Sequence, residues 1–137
     1  MKINRGREPD SFSERRVKTF SGEVWSDPVL SGVDDVAINN VFFAPGARTH
    51  WHTHSGAQIL CVISGRGHAY TRDGEGGEIR AGDVVYIPAG EEHWHGADPD
   101  SYLLHAAITF GGHDWLVPVT DEEYDSARAA NGAAKAG

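Results

Sequence analysis

Chemistry in this sequence points first to histidine. Of eight histidines, six (His50, His52, His54, His93, His95 and His105) fall within short apolar segments. In Trp51-His52-Thr53-His54 the two imidazoles stand two positions apart. On a β-strand that spacing turns both to one face, about 7 Å apart at the backbone, where they can grip one ion. Gln58 follows Ser55-Gly56-Ala57, a short polar stretch able to turn the chain into a neighbouring strand and bring the amide oxygen to the same point. His93 comes much later and has to arrive from a different strand to close the shell. Three neutral imidazoles and one amide oxygen suit a first-row divalent metal, and coordination positions left open would make the site catalytic. Taken alone, the His52 and His54 pair reads equally well as a half-exposed strand.

His95 follows His93 by two and shares its face on a strand, and His105 begins the set His105, Ala107, Thr109 on the next one. Either could transfer protons beside a metal; the alternative is a buried imidazole satisfied by a backbone carbonyl. His50 has the parity of His52 but lies nearer the start of its strand, where exposure is expected, and His68 and His113 read as surface residues. Trp51 and Trp94 alternate outward and read as packing or subunit contacts. Cys61, the single cysteine, sits between Leu60 and Val62 as a small buried hydrophobe and closes no internal disulfide.

The elements that would position these groups are strands. Seventeen Gly and six Pro separate short segments rich in Val, Ile, Tyr, Phe and Trp. Strands are expected over 17–25, 36–43, 49–54, 58–64, 67–71, 77–80, 83–87, 92–97 and 102–110. Turn signals at Pro45-Gly46, Ser64-Gly65, Asp73-Gly74, Ala81-Gly82, Pro88-Ala89-Gly90 and Asp98-Pro99 divide them. So many short strands favour a closed double sheet or barrel, since an open sheet would leave long unpaired edges. Thr120 followed by Glu123 has the spacing of a capping box, so a surface helix is expected over 121–130, with Asn131-Gly132 and the Ala/Gly tail frayed.

The 137 residues, 39% hydrophobic and 23% charged, have the size and balance of one soluble domain. No run approaches the roughly 20 apolar residues of a membrane helix, and no signal-peptide stretch is present, so a cytoplasmic location is expected. Twelve basic against twenty acidic residues leave a net charge of −8 without a basic cluster, which argues against nucleic acid as a partner.

Two motifs carry a family resemblance. Gly46, five residues, His52, one residue, His54, three residues, Gln58, six residues, Gly65 resembles the first cupin motif, with Gln where most cupins have Glu. Gly82, five residues, Pro88, one residue, Gly90, two residues, His93 resembles the second, with Ala97 replacing its final Asn. The resemblance implies an all-β cupin fold (a double-stranded β-helix, or jelly-roll barrel) with a short C-terminal helix. It implies one domain over 1–137: a motif core at about 36–110, an N-terminal strand arm over 1–35, and a helix and tail over 120–137. His52, His54, Gln58 and His93 would hold a metal inside, with the His105 face also turned inward.

The segments Pro45-Gly46-Ala47-Arg48-Thr49, Trp51-His52-Thr53-His54, Gly82-Asp83-Val84-Val85, His93-Trp94-His95-Gly96-Ala97 and Val119-Thr120-Asp121-Glu122-Glu123-Tyr124 are similar to small cupins that include metal-dependent bacterial hydroxynitrile lyases. That resemblance implies a divalent ion, most often Mn²⁺ with Fe²⁺, Zn²⁺ or Ni²⁺ as alternatives. It implies His95 and His105 as catalytic groups and Asn39, Val41, Thr49 and Thr109 as pocket residues. The implied reaction is reversible cleavage of a cyanohydrin such as mandelonitrile to an aldehyde and HCN. Gln in place of Glu leaves the ion's charge uncancelled, which favours Lewis-acid work over oxygen activation. The competing readings are a cupin dioxygenase, a sugar or uronate isomerase, and a non-enzymatic ligand-binding cupin. The expected partners are a small-molecule substrate and a second or fourth copy of the chain, as homodimer or homotetramer.

Overall fold

The computed structural model describes the backbone of residues 1–136 and the side chains of residues 1–129. Strands account for 52% of the chain and wrap into a nearly closed barrel, with one helix. In chain order they are β1 (Glu14–Arg16), β2 (Phe20–Ser21), β3 (Val24–Val33), β4 (Val36–Phe43), β5 (Arg48–Thr49), β6 (His52–His54) and β7 (Gln58–Thr71). Then come β8 (Gly76–Arg80), β9 (Val84–Ile87), β10 (His93–Ala97), β11 (Leu103–Phe110) and β12 (His113–Trp115), followed by α1 (Asp121–Ala136).

The 14-residue strand β7 ties the two halves of the barrel together. Its first part pairs antiparallel with β11 and β9, its second part with β10 and β8. The sequence predicted two strands here, divided at Ser64-Gly65. The chain instead bends without leaving the ladder, because Gly65 adopts φ 78° and approaches Tyr102 so closely that a Cβ would lie 2.0 Å from its carbonyl oxygen. The register of β7 on β11 shifts between Leu104 and His105 at the same bend.

The N-terminal arm is better organised than its sequence indicated. In place of one strand over 17–25, β1, β2 and β3 form, and β3 lies between β1 and β4. Pro28 sits inside β3 where the register slips against β4, a bulge that tolerates its missing N–H. The expected strand over 49–54 is broken into β5 and β6, and β12, absent from the sequence reading, covers β6. Strands β4, β8, β9, β10 and β11 lie within a residue of expectation.

Inward side chains of the barrel form one apolar cluster around Val24, Phe43, Leu60 and Leu103. A second cluster of Trp51, Tyr70, Trp94, Val119 and Tyr124 packs beneath α1, so the two tryptophans are packing residues as expected. The capping box forms: Glu123 N donates to Thr120 Oγ1 and Thr120 N to Glu123 Oε1, both at 3.0 Å. Buried Arg48 donates to Val119 O at 2.9 Å and to Asp121 at 2.7 Å, fixing the start of the helix. The helix continues past Asn131-Gly132, where fraying was expected; the alanines on either side favour it enough to carry one Gly, which costs about 1 kcal/mol. Cys61 is half-buried rather than buried, because it faces outward from β7. His68, read from sequence as a surface residue, is 3% exposed; its Nε2 lies 2.8 Å from Asp98 Oδ1 beneath the helix. No helix among the described residues is long and apolar enough to cross a membrane.

Candidate metal and catalytic site

Strand pairing brings the histidines together. His52 on β6 is the register partner of His93 on β10, and the same His52 faces Trp115 on β12. Their rings are 4.2 Å apart between centroids, and His54 stands 5.0 Å from His52 and 5.5 Å from His93. All three are at least 94% buried. Alternation along β6 and β10, which points His52, His54, His93 and His95 inward, is the period-two geometry that the spacing implied.

The orientation of each ring is set by a bond on its far side. His52 Nδ1 lies 2.9 Å from the carbonyl oxygen of half-buried His50, and His93 Nδ1 lies 2.8 Å from that of Glu91. In the neutral ring each Nδ1–H donates outward, which leaves a bare lone pair on Nε2 facing the interior. Gln58 Nε2 donates to Thr109 Oγ1 at 3.0 Å, and this turns its Oε1 to within 3.1 Å of His93 Nε2. Two lone-pair atoms therefore face one another, which is repulsive unless a cation lies between them. His54 has no hydrogen-bond partner at either ring nitrogen among the described residues. Buried bare nitrogens of this kind cost free energy as they stand and fit a first-row divalent ion. The donor set thus suits the metal that the sequence implied.

His95 extends the group. His52, His93 and His95 each offer a ligand atom within 4.8 Å of the other two, so His95 stands close enough to share an ion with them. His95 Nδ1 lies 3.0 Å from Nε2 of His105; both residues are buried, His105 completely, with its ring against Phe43 at 5.2 Å. His95 Nε2 and His105 Nδ1, at the outer ends of this pair, have no partner among the described residues. Burial pushes the pKa values of His93 and His105 down to about 4 and those of His52 and His95 well below the ordinary 6.5; His54 is lowered too, again chiefly by burial. The rings are neutral near pH 7, the form a metal requires.

A cavity of about 240 Å³ opens onto His52, His54 and His95, while His93 and His105 lie outside its lining. Asn39, Val41, Thr49 and Thr109 all line it, together with His52, His54, Gln58 and His95. Arg16, Phe20, Ser26 and Trp115 line it as well and were missed in the sequence. The signal of Arg16, Phe20 and Trp115 was absent because β1, β2 and β12 are two or three residues long, too short for any periodicity; Ser26 lies on β3, whose start the sequence placed at 17 rather than 24. His113, read as a surface residue, is exposed but stands at the cavity wall, 6.5 Å from the His54 ring.

Comparison with known proteins places this architecture. The cupin domain model matches residues 39–105. An (R)-mandelonitrile lyase from Granulicella tundricola is 46% identical over 111 residues, covering 77% of this chain and 85% of that protein. The chain belongs to the cupin family. A dimethylsulfoniopropionate lyase, DddW, from Ruegeria pomeroyi is 32% identical to this cupin over 83 residues, 58% of this chain and 54% of that protein. Among solved structures, a cupin-like protein from Thermotoga maritima superposes with a TM-score of 0.82 at 39% identity, covering 88% of this chain and 97% of that one. The Granulicella and Ruegeria relatives both carry names of lyases.

Proposed function

We propose that this cupin is a metal-dependent carbon–carbon lyase that cleaves a cyanohydrin of the mandelonitrile kind to an aldehyde and HCN, reversibly. The observation that carries the reading is the facing pair Gln58 Oε1 and His93 Nε2, with His93 Nδ1 already committed to Glu91. His52, His54, Gln58 and His93 would hold a divalent ion, Mn²⁺ in the first instance, and the 46% identity to a mandelonitrile lyase supports the choice of reaction.

The bound ion supplies Lewis acidity toward the substrate hydroxyl and lowers its pKa. His95 Nε2, bare and unpartnered, accepts the hydroxyl proton. The contact between His95 Nδ1 and His105 Nε2 lets the resulting positive charge spread over two rings rather than one. The bond between the carbinol carbon and the nitrile carbon then breaks. Its electron pair leaves with cyanide, and the oxygen's electrons form the aldehyde C=O. His95 returns the proton to cyanide as HCN, which restores the neutral pair.

The test is cyanide release from racemic mandelonitrile by protein loaded in turn with Mn²⁺, Fe²⁺, Zn²⁺ and Ni²⁺. Release that rises with metal content and vanishes on chelation is expected, and a rate equal to buffer with every ion rules the reading out. Exposed Ile63, Val84 and Tyr86 on the outer sheet face support assembly as a homodimer or homotetramer, which sedimentation of the purified protein checks.

A further inference from the structure

The cavity is electrically unlike the rest of the molecule. The chain has 20 acidic and 12 basic residues, yet no Asp or Glu is among the residues that line the cavity, whereas Arg16 is. Gln58 adds no charge, so among the Asp, Glu, Lys and Arg side chains Arg16 alone stands on that wall among the described residues.

Its position is specific. Arg16 closes β1, paired to Val24. Its guanidinium carbon lies 5.8 Å from the Phe20 ring centroid, Phe20 stands 5.4 Å from Trp115, and Trp115 stands 4.6 Å from His52. An aromatic wall therefore runs from the Arg16 cation to the histidine cluster. Arg16 meets Glu14 at 3.8 Å, but the Glu14 side chain is 70% exposed, so this contact is loose and screened by water. The planar guanidinium can still take an incoming carboxylate through two parallel N–H donors.

We propose that the cavity selects a two-ended anion: a small organic acid whose carboxylate sits at Arg16, whose apolar middle lies along Phe20 and Trp115, and whose carbinol or carbonyl carbon reaches the histidines. This inference rests on the lyase reading for the reacting end only, and it makes Arg16 the residue that determines substrate class. A neutral cyanohydrin then engages half of the site.

The test compares binding of 4-formylbenzoate with that of its neutral methyl ester by calorimetry, on metal-loaded and metal-stripped protein. The anion is expected to bind at least about 10-fold more tightly in both forms. That preference is expected to shrink as NaCl rises from about 0.05 to about 0.5 M, and to disappear in Arg16→Met while Arg16→Lys keeps part of it. Melting temperatures establish that the variants are folded. Because the salt series uses the unaltered protein, it decides the question even if Arg16→Met fails to fold. Equal binding of the two compounds, a preference indifferent to both salt and Arg16, or no binding of either compound overturns the proposal. Failure of the lyase reading shows up separately, as absence of cyanide release from mandelonitrile by the unaltered protein.

Discussion

His95 and His105 share a hydrogen bond of 3.0 Å between Nδ1 and Nε2, on adjoining inner faces of the barrel, with both residues buried. Two neutral rings carry two protons, so one lies between the inner nitrogens, one on an outer nitrogen, and the other outer nitrogen is bare. A proton taken at the bare end leaves a charge that the shared proton can pass to the second ring, which suits a relay.

Replacement of either ring is therefore expected to slow cyanohydrin cleavage by about 10²- to 10⁴-fold, the usual range for a lost proton-transfer group. Measured as cyanide release, His95→Ala and the double variant are expected to be equally impaired, because the two rings act as a unit. Multiplicative losses instead would show that they act independently.

Gln58→Glu places a carboxylate where an amide oxygen faces His93. The added charge is expected to tighten Mn²⁺ binding by about 10-fold or more while weakening the ion's pull on a substrate hydroxyl, so affinity and turnover move in opposite directions. Calorimetric titration of the stripped protein, paired with steady-state rates, reads both. A variant with unchanged Mn²⁺ affinity would place Gln58 outside the metal's ligands.

Thr109→Val removes the hydroxyl that accepts from Gln58 Nε2. The freed amide can turn over and donate to His93 Nε2, satisfying both groups without an ion. Loss of about 10- to 100-fold in Mn²⁺ affinity is expected, the range seen when a group orienting a ligand is removed. Thr109→Ser, which keeps the acceptor, is expected to restore most of it.

Acid should destabilise the metal-stripped protein in a defined window. His93 and His105 titrate at about 4 in the fold against an ordinary 6.5, so the unfolded chain binds protons that the fold refuses. Stability from these groups is complete above 6.5, falls as pH drops toward about 4, and levels off below it; each contributes up to about 3 kcal/mol, with His52 and His95 acting in the same direction. Urea midpoints across that range provide the check, and a flat profile would contradict the burial of these rings.

Gly96 lies beside His95 on β10, against β5. A Cβ there would sit 2.5 Å from both Ala47 O and Arg48 Cβ. Gly96→Ala should therefore push β5 away and cost about 1–3 kcal/mol, read as a lowered denaturation midpoint.

Much of this arrangement was legible in the residues themselves. The period-two spacing of His52 and His54, and again of His93 and His95, announced inward faces, since alternation is a local property of extended backbone. The capping box at Thr120 and Glu123 was readable for the same reason, its two bonds spanning three residues. Misreadings fell where a partner distant in sequence decides the outcome. His68 looked like a surface residue because its partner Asp98 is 30 positions away, and β7 looked like two strands because the contact that bends it at Gly65 comes from Tyr102.

The sequence by itself determined the alternation of side chains along the strands, where most turns fall and which donor types are present, because these depend on neighbours within a few residues. Only the tertiary structure decided that Gln58 Oε1 confronts His93 Nε2, that His95 meets His105, and that Arg16 joins the cavity wall. Each of those relationships is made across strands brought together by the barrel, and the register that sets it comes from pairing between distant segments, on which local spacing has no bearing.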